Sequence, residues 1–300
     1  MAVYVNTNVS SLNGRRYLNN VQNQLTTTYQ RLSSGMRINS AKDDAAGLQI
    51  ADRLTTQING LNQGNRNTND GIALAQTIEG ALDETSSMLQ KIRTLAVQSA
   101  NGTNTAADRT AIDTEAKSLQ EEITRIAKQT KFGGATVLDG AGANSIYGAQ
   151  NNGSKGGKLS LQVGANNGDE ISFSVNVFTF SVVASAAIGQ GNNNAGFSNG
   201  KIQLGAASKA KAAIELMDKM IAAVDSQRSG LGAIQNRLES SIRNQSNVAA
   251  NQSDARSRIR DADFAEESAA LSQQSIIQQA ATSMLMQANS RPQLALSMLG

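Results

Sequence analysis

Residues 31–54 read RLSSGMRINSAKDDAAGLQIADRL and predict the end of one long helix followed closely by the start of another. Gly35 marks the end of the first helix, because a glycine just past a helix adopts the left-handed conformation without a side-chain clash. Ser40, followed three residues later by Asp43, fits a capping box, and Asp44 adds an acid near the positive end of the second helix. The stretch therefore predicts two helical rods joined by a short link.

The composition favours long paired helices over a compact globule. Aromatic residues make up only 3% of the 300 residues, Trp is absent and Pro occurs once. A globular core is usually filled by aromatic side chains, whereas a helix pair needs only Leu, Ile, Val, Met and Ala along its seam. Scarce proline also permits long uninterrupted helices.

Several function classes are excluded by residues that the chain lacks. It has no His and no Cys, so Ser-His-Asp and Cys-His nucleophiles, zinc sites of the usual ligand types and disulfides cannot be built. The sequence contains no run of 18 apolar residues, so no membrane span is predicted. The net charge of +3 is too small to indicate nucleic-acid binding. We therefore expect no enzyme activity, no metal, no cofactor and no membrane insertion.

Both terminal segments carry a narrow apolar stripe at three- and four-residue steps, with flanks rich in Gln, Ser and Thr. Such a helix is a poor candidate for independent folding and needs a partner. We expect the two terminal helices to pair and to become ordered by packing against copies of the chain. The residues predicted to pack there are Leu18, Val21, Leu25, Leu32, Leu271, Ile277, Met284 and Leu285.

Three central segments, 48–98, 106–130 and 206–250, carry heptad-like stripes that predict a bundle of three or four rods. The Gly- and Asn-rich GNRNTNDG at 64–71 interrupts the first stripe, and we interpret it as a polar part of the seam within a continuous or mildly bent helix. The predicted core residues of the rods are Leu54, Ile58, Leu61, Leu82, Leu89, Ile112, Leu119, Ile123, Ile214, Ile221, Leu231 and Leu238.

Local signals also predict where the later helices begin and end. Thr105 with Asp108 and Asp263 with Glu266 have the spacing of capping boxes. Arg291-Pro292 is predicted to end the last helix, because proline lacks the N–H that a helix interior requires.

The centre of the chain changes character and is rich in Gly, Asn and Ser. KLSLQVG at 158–164 and ISFSVNVFTFSVV at 171–183 alternate apolar and polar residues around an Asn-Gly turn, which predicts a β-hairpin. Residues 189–200 are predicted to form a loop. The predicted fold is thus mainly α, a long antiparallel helical bundle or coiled coil with paired terminal helices and a small hairpin-rich centre.

Six motifs distributed over nearly the whole chain resemble those of bacterial flagellin, in the family's order. They are VNTNVSSLNGRR at 5–16, the 31–54 segment, DGIALAQTIEGALDE at 70–84, LQKIRTLAVQSANGT at 89–103, LQVGANNGDEISF at 161–173 and SRIRDADFAEESA at 257–269. The resemblance implies a minimal flagellin without large outer domains.

The resemblance also implies a division into domains. Residues 1–42 and 256–300 are expected to form an inner coiled-coil domain of terminal helices. Residues 43–178 and 203–255 are expected to form a rod-like helical domain with β-hairpins, and residues 179–202 a short variable surface loop.

By the same resemblance, the chain is expected to be a structural subunit that is exported unfolded by the flagellar type III system and self-assembles into the extracellular filament, the propeller for swimming. The implied partners are copies of itself, an export chaperone that binds the C-terminal helix, and the filament cap and hook-junction proteins.

Recognition by the Toll-like receptor that senses flagellin is a further implication, carried by the positions of Lys91, Leu95 and Glu115. Lys91 stands where the family motif has Arg and lacks its planar two-pronged donor. The alternative interpretation is that Leu95 is a core or subunit contact and that the other two residues form a solvated pair.

Two other functions remain open on the sequence. A hook-filament junction protein of the same superfamily shares the terminal heptads, although such proteins usually lack the full motifs at 31–54 and 89–103. A secreted helical effector is the second alternative. The metalloprotease that some flagellins carry is excluded, because it requires His-Glu-x-x-His and the chain has no His.

Overall fold

The computed structural model describes residues 7–140, 144–147, 156–189 and 194–297, and in the last helix side chains up to residue 291. The six helices of this part of the chain are α1 Val9–Ser34, α2 Ala45–Ala100, α3 Ala106–Gln129, α4 Phe180–Ile188, α5 Ala207–Arg260 and α6 Phe264–Ser297. The six short strands are β1 Lys131–Phe132, β2 Ala135–Thr136, β3 Gly157–Gln162, β4 Glu170–Val175, β5 Phe197–Ser198 and β6 Lys201–Ile202.

Each strand pairs in an antiparallel fashion with its neighbour in sequence, giving three separate two-stranded sheets. The chain divides into two compact units: the terminal unit, residues 1–58 with 249–300, and the central unit, residues 59–248. The predicted fold class is confirmed, since long helices dominate and the strands form only small hairpins.

The first helix ends as its sequence predicts. Gly35 has a φ of 70°, and its N–H donates to the carbonyl oxygen of Arg31 at 2.8 Å. This left-handed residue turns the chain out of α1, and one residue later Met36 forms a backbone bridge with Asp261.

The capping box predicted for Ser40 and Asp43 is wrong in its position. The Asp43 carboxylate accepts hydrogen bonds from the backbone N–H groups of Asn39 and Ser40 and so closes a turn before the helix. Helix α2 is capped instead by Asp44, whose Oδ1 accepts from the N–H of Gly47 at 2.9 Å. The first acid therefore stabilises the link, and the second satisfies a free N–H group of the helix.

The two other capping predictions differ in outcome. At the start of α3 both halves of the box are present: Thr105 accepts from the N–H of Asp108, and the Asp108 carboxylate accepts from the N–H of Thr105. At the start of α6 one half of the predicted box is present, since Asp263 accepts from the N–H of Ala265 at 2.8 Å and from that of Glu266 at 3.4 Å. In this described segment the Glu266 carboxylate does not accept from the N–H of Asp263, so the aspartate caps the helix alone.

The prediction that Arg291-Pro292 ends the last helix is wrong, because α6 continues to Ser297. Proline within a helix removes the hydrogen bond to the carbonyl four residues earlier, here that of Ala288. That carbonyl accepts a hydrogen bond from elsewhere, the Asn8 side chain at 2.7 Å. The helix can therefore pass through the proline without leaving this acceptor unsatisfied.

The central unit is built around α2, α3 and α5, with the hairpins and α4 packed on them. Of the predicted core residues, Leu82, Leu89, Ile123, Leu231 and Leu238 are at most 1% exposed. Leu61 and Ile112 are also buried, at 9% and 8% exposure. These seven residues therefore lie in the interior of the central unit.

Four predicted core residues are only partly buried: Leu54, Leu119, Ile214 and Ile221. In the first turns of α5 the buried positions include Ala213, Leu216 and Met220, each within two residues of the predicted Ile214 or Ile221. Further along the helix the predicted Leu231 and Leu238 are themselves buried. Leu54 and Ile58 lie in the terminal unit.

The predicted hairpin is confirmed in its first part. Strands β3 and β4 pair with Gly157 opposite Val175 and Gln162 opposite Glu170. The strand predicted to extend to residue 183 is wrong beyond β4, because residues 180–188 form helix α4. Phe180 is fully buried there.

Residues 179–202, expected to form a surface loop, therefore contain the partly buried helix α4 and the small β5–β6 hairpin. The turn between β5 and β6 has Asn199 and Gly200 at positive φ, 53° and 75°. Residues 190–193 of the predicted loop lie outside the described part of the chain.

The stretch GNRNTNDG has a second role beside its place in the seam, where Asn65 donates to the Ser246 hydroxyl of α5 at 3.4 Å. Helix α2 runs through it unbroken, but its glycines face the β3–β4 hairpin. A Cβ at Gly64 would lie 2.0 Å from the carbonyl oxygen of Val163, and one at Gly71 would lie 2.3 Å from a methyl carbon of Leu161. Asn67 donates to the carbonyl oxygen of Gln162 at 2.9 Å. The polar, glycine-rich stretch is thus the groove on which the hairpin rests.

Replacing Gly64 with Ala is expected to destabilise the central unit by about 1–3 kcal/mol, because the added carbon would collide with backbone atoms of the hairpin. Gly80→Ala in the same helix is the matched control, since nothing lies within 4 Å of its Cβ position. There the change should be neutral or stabilising by up to about 1 kcal/mol. Urea unfolding monitored by circular dichroism measures both, and equal effects at the two sites would contradict the docking role of Gly64.

Candidate functional site

The terminal unit contains the antiparallel pair of α1 and α6, which brings together the two ends of the chain. At the end near the links, the guanidinium of Arg31 donates to the Glu267 carboxylate at 2.9 Å, and both side chains are at least two-thirds shielded from solvent. One turn earlier in α1, Thr28 donates to the Gln274 side chain at 3.2 Å. These contacts fix the pairing close to the links.

Backbone hydrogen bonds between the α1–α2 link and the α5–α6 link reinforce this end. The N–H of Arg37 donates to the carbonyl oxygen of Arg260 at 2.7 Å, and the N–H of Ala262 donates to that of Gly35 at 3.0 Å. Together with the bridge between Met36 and Asp261 they make a short antiparallel ladder.

The seam between α1 and α6 agrees with most of the predicted packing residues. Val21 is buried, whereas Leu18, Leu25, Leu32, Leu271, Ile277 and Leu285 are half-buried. Met284 is different: 66% of it is exposed, so it lies outside the seam of the single chain.

Three further residues lie in the seam: Thr28 and Ala281, which continue the apolar stripes of the two terminal segments, and Gly14, which the stripes do not include. Thr28 and Ala281 are about 5% exposed, and Gly14 lies so close to Leu285 that an added Cβ would be 3.1 Å from its Cδ1. Gly14 was missed because a glycine carries no weight in a search for apolar stripes.

Large apolar side chains are exposed on the outer faces of the same two helices. A protein that works as a single chain rarely leaves so many such residues uncovered on one short element pair. With exposures between 50% and 68%, they are Val9, Leu12, Tyr17, Tyr29, Phe264, Ile276, Met284 and Met286. We call this set the outer apolar surface.

The three residues singled out for receptor recognition lie in the central unit. Lys91 on α2 and Glu115 on α3 form an ion pair, with Nζ and Oε1 3.5 Å apart and both side chains more than half exposed. Leu95, one turn further along α2, is 8% exposed and belongs to the core cluster. The structure thus joins the two charged residues at the surface and places the leucine beneath it.

None of the described helices combines the length and the hydropathy needed to cross a lipid bilayer. Within the described residues, no cluster of carboxylates is arranged to hold a metal ion.

Comparison with known proteins matches both halves of this helical framework. The model of the bacterial flagellin N-terminal helical region matches residues 5–143, and that of the C-terminal helical region matches residues 214–299. The chain belongs to the bacterial flagellin family. As such it is a structural subunit of the extracellular flagellar filament and not an enzyme.

Individual relatives agree with this assignment over the full length. Flagellin B of Vibrio cholerae serotype O1 is 37% identical over an alignment of 376 residues that covers all of both chains. Flagellin D of Vibrio anguillarum is 38% identical over 377 residues, again covering all of both. Full-length similarity to flagellins favours this family over the hook-filament junction alternative.

Among solved structures, this flagellin is similar in fold to one described as a flagellar hook-associated protein from Vibrio parahaemolyticus. The TM-score is 0.56 at 17% identity, with 73% of this chain and 100% of the other covered. At that identity the likeness concerns the fold alone.

The link of this flagellin should respond to acid through Asp43. Hydrogen bonds from the backbone N–H groups of Ser40 and Asn39 hold the pKa of the Asp43 carboxyl below its usual value. The pKa of Asp43 is lower in the folded chain than in the unfolded chain. The stabilisation that its carboxylate provides is therefore complete above the unfolded pKa of about 3.9. This stabilisation is lost as the pH falls through the pKa that Asp43 has in the folded chain.

Asp43→Asn should therefore lower the unfolding midpoint of the terminal unit at pH 7, and its difference from the wild type should shrink as the pH falls below about 4. Thermal unfolding by circular dichroism over a pH series measures this difference. Asp52→Asn, at an exposed position of α2, is the matched control for replacing a carboxylate by an amide. A difference between Asp43→Asn and the wild type that is the same at every pH would contradict the role of the charge.

Proposed function

We propose that this flagellin assembles with copies of itself chiefly through the outer apolar surface of α1 and α6. One observation carries the proposal. The side chains between α1 and α6 are already packed against each other, yet large apolar side chains on the outer faces of the same helices remain exposed to solvent. Burying a large apolar side chain contributes roughly 1.5–3 kcal/mol. Packing against further copies is the direct way to bury several at once.

The chemistry of α6 supports the same proposal. Residues 268–290 contain no charged residue. They consist mainly of Gln, Ser, Ala and large apolar residues. A helix facing water along its outer side usually carries charges there. The lack of charge suits a helix that is surrounded by other helices in the assembled state.

Within the filament we propose the division into domains that the family resemblance implies. Residues 1–42 and 256–300 would form the inner coiled-coil domain, and residues 43–178 and 203–255 the surrounding rod-like domain. Residues 179–202, with α4 and the β5–β6 hairpin, would form the outward-facing part of the subunit. The filament built in this way serves as the propeller for swimming.

Export and its partners belong to the same proposal. An unfolded subunit would travel through the flagellar type III system, with a chaperone shielding α6 before assembly, and the cap and hook-junction proteins would meet it in the filament. The uncharged, apolar-rich α6 supports the chaperone contact, because such a segment is prone to association when unpaired.

Ile276→Asp is expected to raise the critical concentration for seeded polymerisation more than tenfold. The change removes about 1.5–3 kcal/mol of apolar burial per subunit and places a charge in the contact. Light scattering of subunits mixed with preformed seeds measures the effect. Ile276 is 66% exposed, so the unfolding of the central unit should stay unchanged.

Ile276→Leu is the matched control, because it keeps an apolar side chain of the same size and should polymerise like the wild type. Normal polymerisation of the Asp variant would show that this face is not a subunit contact. Failure of the wild type itself to polymerise from seeds would overturn the proposed function.

We further propose that the exposed pair of Lys91 and Glu115 is a contact for the Toll-like receptor that senses flagellin. The supporting observation is their proximity on adjacent helices, which forms one accessible charged patch. Leu95 would act indirectly, by holding α2 in place from within the core.

Lys91→Arg should increase receptor activation several-fold, since a planar guanidinium can make two parallel hydrogen bonds to one carboxylate, a geometry that the three diverging N–H donors of an ammonium lack. Glu115→Ala should decrease it without a change in the unfolding midpoint. Activation of receptor-bearing reporter cells by the free subunit measures both. Equal activation by all three proteins would remove this patch from the contact.

A further inference from the structure

Asn8 makes two hydrogen bonds that connect the first helix to the last. Its Oδ1 accepts from the N–H of Ser11 at 3.1 Å, which caps the start of α1. Its Nδ2 donates to the carbonyl oxygen of Ala288 at 2.7 Å, across 280 positions of sequence. An asparagine is suited to this double role because its amide carries an acceptor and a donor.

The acceptor on α6 is a special one. In a regular helix the N–H of residue 292 would donate to the carbonyl of residue 288, but Pro292 has no N–H. The carbonyl of Ala288 is therefore an acceptor inside a helix that lacks its usual donor, and Asn8 supplies one.

The apolar seam by itself determines the alignment of α6 only weakly. Large apolar side chains occur around the helix, with Ile276, Met284 and Met286 exposed while Ala281 is buried. Rotating or sliding α6 would exchange one apolar face for another at little cost. In helix pairs of this kind, single polar contacts are what specify the register.

Such polar contacts are concentrated near the links. Arg31 and Thr28 bind α6 there, whereas no side-chain hydrogen bond of the described residues joins positions 9–27 of α1 to α6. Asn8 lies at the opposite, open end of the pair. The two ends are thus fixed by polar contacts, with an apolar seam between them.

We propose that Asn8 is a positioning residue, which sets the register and rotation of α6 against α1 by donating to the carbonyl that Pro292 leaves free. In this way Pro292 leaves within α6 a free carbonyl to which Asn8 can bind, and the helix continues past the proline. The proposal concerns the pairing within one chain and does not depend on filament assembly.

The test compares four full-length chains: wild type, Asn8→Ser, Pro292→Ala and the double variant. Serine caps a helix about as well as asparagine, but it is too short to keep both contacts. Alanine at 292 restores an N–H for Ala288. Hydrogen exchange of peptides covering 285–297, measured by mass spectrometry in the free subunit and in seeded polymer, is the readout.

In the state where the wild-type peptides are protected, Asn8→Ser should speed their exchange about fivefold, the size expected for one hydrogen bond. In the Pro292→Ala background the same change should have almost no effect, because the carbonyl then has an intrahelical donor. Asn20→Ser, at an exposed position of α1, is the matched control and should exchange like the wild type.

Three results would overturn the proposal. They are wild-type peptides that are protected in neither state, an Asn8→Ser variant that exchanges like the wild type, and an Asn8→Ser effect of equal size in both backgrounds. Since the free subunit is measured as well as the polymer, loss of polymerisation alone would count against the proposed function and leave this test intact.

Discussion

The short backbone ladder between the two links is the constraint on which the terminal unit depends. Arg37 donates to the carbonyl of Arg260, and Ala262 donates to that of Gly35. Because these bonds use main-chain atoms, they place the end of α1 beside the start of α6 whatever the side chains are. The two helices therefore lie side by side from the links onward, and only their register is left to be determined by other contacts.

Signals that act within a few residues could be predicted from the sequence. Gly35 ends α1, Thr105 and Asp108 cap α3, and the hairpin turn lies where its Asn-Gly pair stands. In each case the hydrogen bonds that determine the structure are made by residues close to one another in the chain. Tertiary packing has little chance to override them.

Most of what the sequence did not predict depends on a partner that is distant in the chain, although the misplaced capping box at Ser40 and Asp43 is a local error. Pro292 does not end α6, because Asn8 satisfies the acceptor that the proline exposes. The glycine-rich part of α2 is a groove for a hairpin that follows about 90 residues later. Likewise, apolar periodicity locates the candidate site on α1 and α6 but does not show that Met284 is exposed in the single chain whereas Ala281 is buried.

The uncharged character of residues 268–290 has a consequence for the conditions under which subunits hold together. Salt screens attractions between charges but leaves apolar contacts largely intact. Apolar association weakens on cooling, since its driving force near room temperature is mainly entropic. Contacts made by this stretch of α6 should therefore persist in both fresh and saline water, and low temperature is the condition that loosens them.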